Sequence, residues 1–310
     1  MFINIIFLVV GFVLLIKGAD YFVDGAASVA GLLKIPTIVV GLTIVAFGTS
    51  APEAAVSLTA ALSDASAIAV GNIIGSNIFN LLMVLGVTAT ISLVPVPKSI
   101  VSREFLFLSL ITVLMAVVIL LDFEISRIEG IIFLILLAGY VLTLILASLK
   151  NRKNIEPEVA KYSGLVAFLL IVGGMIGVII GGNLVVDNAK TIALSIGWSQ
   201  KLVGLTIVSV GTSLPELVTS ISAAKKGHVD IAVGNVVGSN IFNILFILGL
   251  SSTVTPIMVE SALGIDIIFM TFATLFTYYL CRSKGKLSRK EGLTLLLFFI
   301  LYMIYILWRN

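Results

Sequence analysis

The sequence predicts an all-α integral membrane protein with ten transmembrane helices, arranged as two five-helix repeats of inverted topology. Three observations carry that expectation. Apolar residues fill 59% of 310 positions and charged residues only 11%, with a mean hydropathy of +1.21, whereas soluble domains carry about 25% charge. Apolar runs of about 20 residues, the length a helix needs to cross a ~30 Å hydrocarbon core, follow one another along nearly the whole chain. Finally, the halves repeat. A shift of 163 residues lays Gly18 on Gly181, Asp24 on Asp187, Gly41 on Gly204 and Gly48 on Gly211 without a gap. The same shift lays segment 70–86 (VGNIIGSNIFNLLMVLG) on 233–249 (VGNVVGSNIFNILFILG), with 12 of 17 positions identical.

The spans are read in order. The first, 2–22, has no basic residue before Lys17 and no small-residue cleavage site, so it reads as a retained span and not a signal peptide. Spans 36–62, 67–92, 103–121 and 127–149 complete the first repeat, residues 1–149. A polar stretch with Pro157, residues 150–162, is the linker. Spans 163–183, 201–224, 229–254, 261–281 and 290–308 make the second repeat, residues 163–310. Five is odd, so the second repeat enters the membrane from the opposite side, the ground plan of many secondary transporters.

Orientation follows the basic residues of the short loops. With the N-terminus outside, fourteen of the 19 Lys and Arg residues fall inside. Only Arg127, Lys190, Lys201 and Arg309 fall outside, and Lys17 lies within a span. The expectation is a multi-pass plasma-membrane protein with both termini outside and 150–162 cytoplasmic. A net charge of +3 is too small to point to nucleic acid, and no Walker or Gly-rich phosphate loop points to ATP. Cys281, the single cysteine, reads as a buried thiol.

Two acids stand well inside their spans. Glu53 lies in GTSAPE (48–53) and Glu216 in GTSLPE (211–216). An intramembrane carboxylate costs several kcal/mol unless compensated, so it is a functional hypothesis by default. The alternative is a structural acid, paired with a base or protonated and hydrogen-bonded; no Lys or Arg lies centrally in any span to supply the first. Thr49 and Ser50 share a helical face with Glu53, and Thr212 and Ser213 share one with Glu216. Pro52 and Pro215 lack an N–H and free carbonyls upstream. These are oxygen donors suited to a hard cation, on broken backbone of the kind that membranes tolerate only around a cavity. The second motif, GNxxGSNIFN, occupies 71–80 and 234–243. Ser76 with Asn80, and Ser239 with Asn243, present a hydroxyl and an amide from one face. Asn72, Asn77, Asn235 and Asn240 fall elsewhere around the helix. The glycines read as close helix packing.

The doubled GTSxPE and GNxxGSNIFN motifs resemble the alpha repeats of the cation/Ca²⁺ exchanger superfamily, in its prokaryotic and archaeal Na⁺/Ca²⁺ exchanger branch. The resemblance spans the whole chain. It implies a secondary antiporter, not an enzyme, working by alternating access. Its second, third, seventh and eighth helices would form a core, and long, tilted first and sixth helices would slide past it. It implies ion ligands at Thr49, Ser50, Glu53, Ser76, Asn80, Thr212, Ser213, Glu216, Ser239 and Asn243, with carbonyls from Ala46 and Ser209. It implies no cofactor; Ca²⁺ and Na⁺ are the transported ions, in a lipid bilayer, from a monomer. Archaeal members carry aspartate where Asn243 stands, which leaves this pocket two carboxylates and bears on ion stoichiometry and on K⁺. Ca²⁺/H⁺ antiport on the same scaffold is the alternative, although that branch carries an acidic GNxxE motif where this chain has Gly75 and Gly238. A cation channel is a third reading. Asp20 and Asp24, and Asp187 in the second repeat, read as solvated helix-end charges, with cation concentration at the vestibules as the alternative. His228 reads as a solvated loop residue.

Overall fold

A computed structural model of the chain describes residues 2–63, 66–96, 100–151, 160–198 and 209–309. They are helical almost throughout. In chain order the helices are α1 (Phe2–Leu33), α2 (Thr37–Thr49), α3 (Ala51–Leu62), α4 (Ile68–Ile91), α5 (Val101–Asp122) and α6 (Arg127–Lys150). After the linker come α7 (Gly164–Ser195), α8 (Leu214–Lys225), α9 (Val229–Val254), α10 (Ser261–Lys284) and α11 (Arg289–Arg309). Eight of these are long and apolar enough to cross a membrane, and α2 with α3 forms a ninth span bent by 49°. The first part of the expected span 201–224, residues 201–208, lies outside the described residues. So does most of the expected linker.

Two spans are longer than the sequence reading made them. The expected 2–22 and 163–183 are helices α1 and α7, each of 32 residues. Hydropathy falls at Asp20, Asp24, Asn183 and Asp187, but each helix continues past them, so the polar residues ended the apolar run and not the helix. The two helices cross antiparallel through glycines. A Cβ on Gly18 would lie 2.7 Å from the amide nitrogen of Val178, one on Gly174 2.5 Å from that of Phe22, and one on Gly181 2.4 Å from that of Leu15. Only glycine allows backbones so close.

Helix α9 is the centre of the molecule. Its most apolar stretch is 94% buried, against 22% for α1 and α7, which face outward. Gly234 and Gly238 explain how it packs on α2: a Cβ there would meet the carbonyl oxygens of Ile38 at 2.7 Å and Leu42 at 2.6 Å. The packing reading of the motif glycines holds at Gly234 and Gly238 but not at Gly71, where a Cβ would meet nothing within 4 Å.

Local signals set the peripheral helices. Ser126 opens α6 and its N–H donates to Glu129 Oε2 at 2.7 Å, while the Glu129 N–H donates to Ser126 Oγ at 3.3 Å. The box returns at Ser288 and Glu291 of α11, with 2.9 Å from Ser288 N to Oε2. These reciprocal caps satisfy first-turn donors. Just before them, Phe123 (φ 56) and Gly285 (φ 63) end α5 and α10 in the left-handed conformation. Two short antiparallel ribbons follow from these loops. β1 (Val94–Pro95) pairs with β4 (Lys286–Leu287), and β2 (Glu124–Ile125) with β3 (Ile257–Met258). Each ribbon takes one strand from each half of the chain.

The acids of α1 are not the solvated charges expected from sequence. Ser222 Oγ donates to Asp20 Oδ1 at 2.6 Å, and Lys226 Nζ reaches Asp24 Oδ1 and the Asp20 carbonyl oxygen, both at 2.7 Å. Lys161 stands 3.9 Å from Asp24. The contacts exist because α1 continues past its apolar run and lies along α8. Their counterparts on α7, Asn183 and Asp187, are exposed, and α7 does not lie along α3 in the same way. Two similar repeats thus stand in unlike positions: among the described residues, α1 is tied to α8 by these contacts and α7 has no like ones to α3. His228 is half-buried and caps the start of α9, its carbonyl accepting from Ile231 N at 3.0 Å.

Candidate cation-binding site

The site forms where two helices start in the middle of the bundle. Ser50 (φ −82, ψ 6) and Ser213 (φ −95, ψ 7) leave helical geometry, and α3 and α8 begin at once behind them. Pro52 and Pro215 sit in those first turns, where a missing N–H leaves no helical bond unmade. Glu53 and Glu216 follow in the same turns. A helix N-terminus favours an anion, so the two half-helices hold their carboxylates at the positive ends of their dipoles. Both glutamates are fully buried.

Each carboxylate is held by the other repeat. Ser213 Oγ donates to Glu53 Oε1 at 3.0 Å, and Ser50 Oγ donates to Glu216 Oε1 at 3.0 Å. Ser76 adds a longer contact to Glu53 Oε1 at 3.4 Å and lies 3.0 Å from Ser213 Oγ. The second oxygens, Oε2 of both Glu53 and Glu216, are buried with no hydrogen-bond partner among the described residues.

The amides repeat the pattern. Asn80 Nδ2 donates to Asn240 Oδ1 at 3.2 Å, and Asn243 Nδ2 donates to Asn77 Oδ1 at 2.9 Å. Asn80 Oδ1 and Asn243 Oδ1 are left buried and without a partner among the described residues. Asn80 and Asn243 lie in π-helical turns, Phe79–Val84 and Asn243–Leu248. Such turns are often found at functional sites because they re-aim side chains.

Asn72 and Asn235, placed elsewhere around the helix by the sequence reading, are braces. Thr49 Oγ1 donates to Asn235 Oδ1 at 2.9 Å and Thr212 Oγ1 to Asn72 Oδ1 at 3.3 Å. Asn72 Nδ2 donates to Ser57 Oγ at 3.0 Å, and Asn235 Nδ2 to Ser220 Oγ at 3.0 Å. Each also lies 3.4 Å from the carbonyl oxygen of its glutamate, Glu53 or Glu216. The signal for this role was present: a polar residue repeated in both copies with no place on the ligand face.

The structure therefore buries Thr49, Ser50, Glu53, Ser76, Asn80, Ser213, Glu216, Ser239 and Asn243, in hydrogen-bonded groups that cross between the repeats. The Ala46 carbonyl joins it, accepting from Ser50 N at 3.0 Å and from Ser239 Oγ at 3.4 Å. Thr212 is half-buried and attached through Asn72. Ser209 is described by its backbone alone, at the start of the turn Ser209–Gly211.

Four buried oxygens of this set, two of them on carboxyl groups, have no hydrogen-bond partner among the described residues. The ion pairs among the described residues involve Lys161, Lys226, Lys284 and Arg309, at the ends of the spans and not at the glutamates. No cluster of three or more His, Cys, Asp or Glu occurs among the described residues. Uncompensated buried carboxylates cost several kcal/mol each. A hard cation removes that cost and prefers oxygen.

The family described as sodium/calcium exchanger protein matches residues 3–146 and 166–308. The chain is 41% identical to CaxA of Alkalimonas amylolytica over 324 aligned residues, which cover 100% of both proteins. It is 31% identical to the sodium/calcium exchanger MaX1 of Methanosarcina acetivorans, over 99% of both. The solved structure of the sodium-calcium exchanger NCX_Mj, soaked with Na⁺ and Ca²⁺, superimposes with a TM-score of 0.86 at 33% identity. That superposition covers 97% of this chain and 98% of the other.

Proposed function

This chain belongs to the sodium/calcium exchanger protein family, and from that premise we propose that it is a secondary antiporter that exchanges Na⁺ for Ca²⁺ by alternating access. One observation carries the reading: two buried glutamates, each held through one oxygen by the opposite repeat, keep the other oxygen unpartnered among the described residues. Ca²⁺ bound between them makes a neutral centre, and so do two Na⁺. Competition for the same oxygens couples the two fluxes, because neither ion leaves the carboxylates uncompensated without the other taking its place. The ligands are Thr49, Ser50, Glu53, Ser76 and Asn80 with the Ala46 carbonyl, and Thr212, Ser213, Glu216, Ser239 and Asn243 with the Ser209 carbonyl. The crossed pair α1 and α7 slides past this core to expose it to one side and then the other.

Residues 1–149 and 163–310 are the inverted repeats, joined by a cytoplasmic 150–162 segment, in a plasma-membrane protein that acts as a monomer with both termini outside. In a Cys281→Ser background, a cysteine at Lys225 then reacts with an impermeant thiol reagent only from the cytoplasm, and one at Asp122 only from outside. The reverse pattern overturns the orientation.

The function is tested by radiolabelled Ca²⁺ uptake into proteoliposomes. Saturable uptake driven by an outward Na⁺ gradient is expected. Uptake driven by a pH gradient alone would instead make Glu53 and Glu216 proton carriers, and uptake without any countergradient dependence would make the protein a channel.

A further inference from the structure

We propose that Asn240 is a positioning residue that decides which end of the Asn80 amide meets the transported ion. The proposal rests on the site reading above. An amide binds a cation only through its oxygen; turned over, it presents two N–H donors to the ion. What sets the direction at Asn80 is an anchor in the backbone. A carbonyl can accept but never donate, and the carbonyl oxygen of Asn77 lies 3.4 Å from Asn240 Nδ2. The nitrogen end of Asn240 therefore faces that carbonyl and its oxygen faces away. That oxygen accepts from Asn80 Nδ2 at 3.2 Å. Asn80 thus commits its nitrogen to Asn240, and its own Oδ1 is the buried atom left unpartnered among the described residues. The chain of contacts from carbonyl to Asn240 to Asn80 has a single consistent polarity.

The second clamp has no such anchor. Asn243 Nδ2 donates to Asn77 Oδ1 at 2.9 Å, but Asn77 Nδ2 has no partner among the described residues. Both amides of this pair can turn over together and keep one hydrogen bond between them. The orientation of Asn80 is thus built into the fold, while that of Asn243 is selected by the ion. It also follows that Asn77 can hold either an amide or an acid at position 243, donating to one and accepting from the other. Each clamp crosses between the repeats, and of the two the one at Asn80 fixes an orientation.

Melting the purified protein in ion-free buffer, then with Na⁺ or Ca²⁺ added, separates positioning from structure. The wild type gains stability with either ion. Asn240→Leu loses some ion-free stability, because Asn80 Nδ2 and the Asn77 carbonyl are left buried without their partner, and it also loses most of the ion-induced rise. Its half-saturating Ca²⁺ concentration for exchange increases about tenfold, the worth of one oriented hydrogen bond, with a much smaller change in maximal rate. Asn240→Asp, whose neutral acid keeps an acceptor and a donor in the same places, restores the rise. Should Asn240→Leu not fold, Asn240→Ala supplies the same comparison. A wild type insensitive to both ions overturns the site reading itself. A responsive wild type with an equally responsive leucine variant overturns this proposal alone, as does a loss confined to ion-free stability.

Discussion

Replacing Glu53 or Glu216 by glutamine keeps the shape of the side chain and an oxygen for the opposite serine, and removes one charge. Ca²⁺ exchange is expected to vanish in either variant. The ion-free melting temperature should be unchanged or higher, because a buried amide is less costly than an uncompensated carboxylate. Near-normal flux in one variant would make that glutamate structural. At this scale the sequence was most legible where chemistry repeats. Glu53, Ser76, Asn80 and their second copies could be named from motif, spacing and family resemblance, and all six are buried. What could not be read was which partner each polar group takes. Helical spacing puts Ser50 on the face of Glu53, but Ser50 bonds to Glu216 of the other repeat. Asn72 and Asn235 fell off the ligand face, and their role as braces depends on contacts between helices that spacing within one helix does not contain.

Among the elements, α1 is held to α8 by charge as well as by packing. Lys226→Met keeps the aliphatic stem and removes the ammonium group that joins Asp20 and Asp24 to α8. A half-buried pair of this kind contributes about 1 kcal/mol, or roughly fivefold in an equilibrium. A cysteine at Ala27, in a Cys281→Ser background, should therefore react severalfold faster with an impermeant reagent added on the Lys226 side. An unchanged rate would mean that apolar packing alone holds α1 to α8. The lengths of α1 and α7 were the least legible feature of the helices. A hydropathy window ends at Asp20 and Asn183, whereas the backbone continues for another helical stretch because its polar side chains find partners on α8 or water. The bend at Ser50 was legible, since Pro52 and Gly48 announce it, although its 49° is set by how α3 packs.

For the whole molecule, the proposed exchange has an electrical signature. The family resemblance implies three Na⁺ for each Ca²⁺, so Ca²⁺ entry moves one net positive charge outward. An inside-positive potential should then accelerate Ca²⁺ uptake, by up to about 2.3 kcal/mol per 100 mV. Uptake that ignores an imposed potential would indicate two Na⁺ per Ca²⁺, the count that two carboxylates alone neutralise.

The two small ribbons have a consequence for how divisible this protein is. β1 with β4, and β2 with β3, stitch the halves to one another at both faces, and the crossing of α1 with α7 and the burial of α9 against α2 do the same between them. The covalent joint is then only one of several seams. Two separate polypeptides, 1–155 and 156–310, co-expressed in one cell, should find each other and recover Ca²⁺ exchange, while either alone should be degraded. Failure to complement, with both fragments present in the membrane, would show that continuity of the chain does what the seams do not.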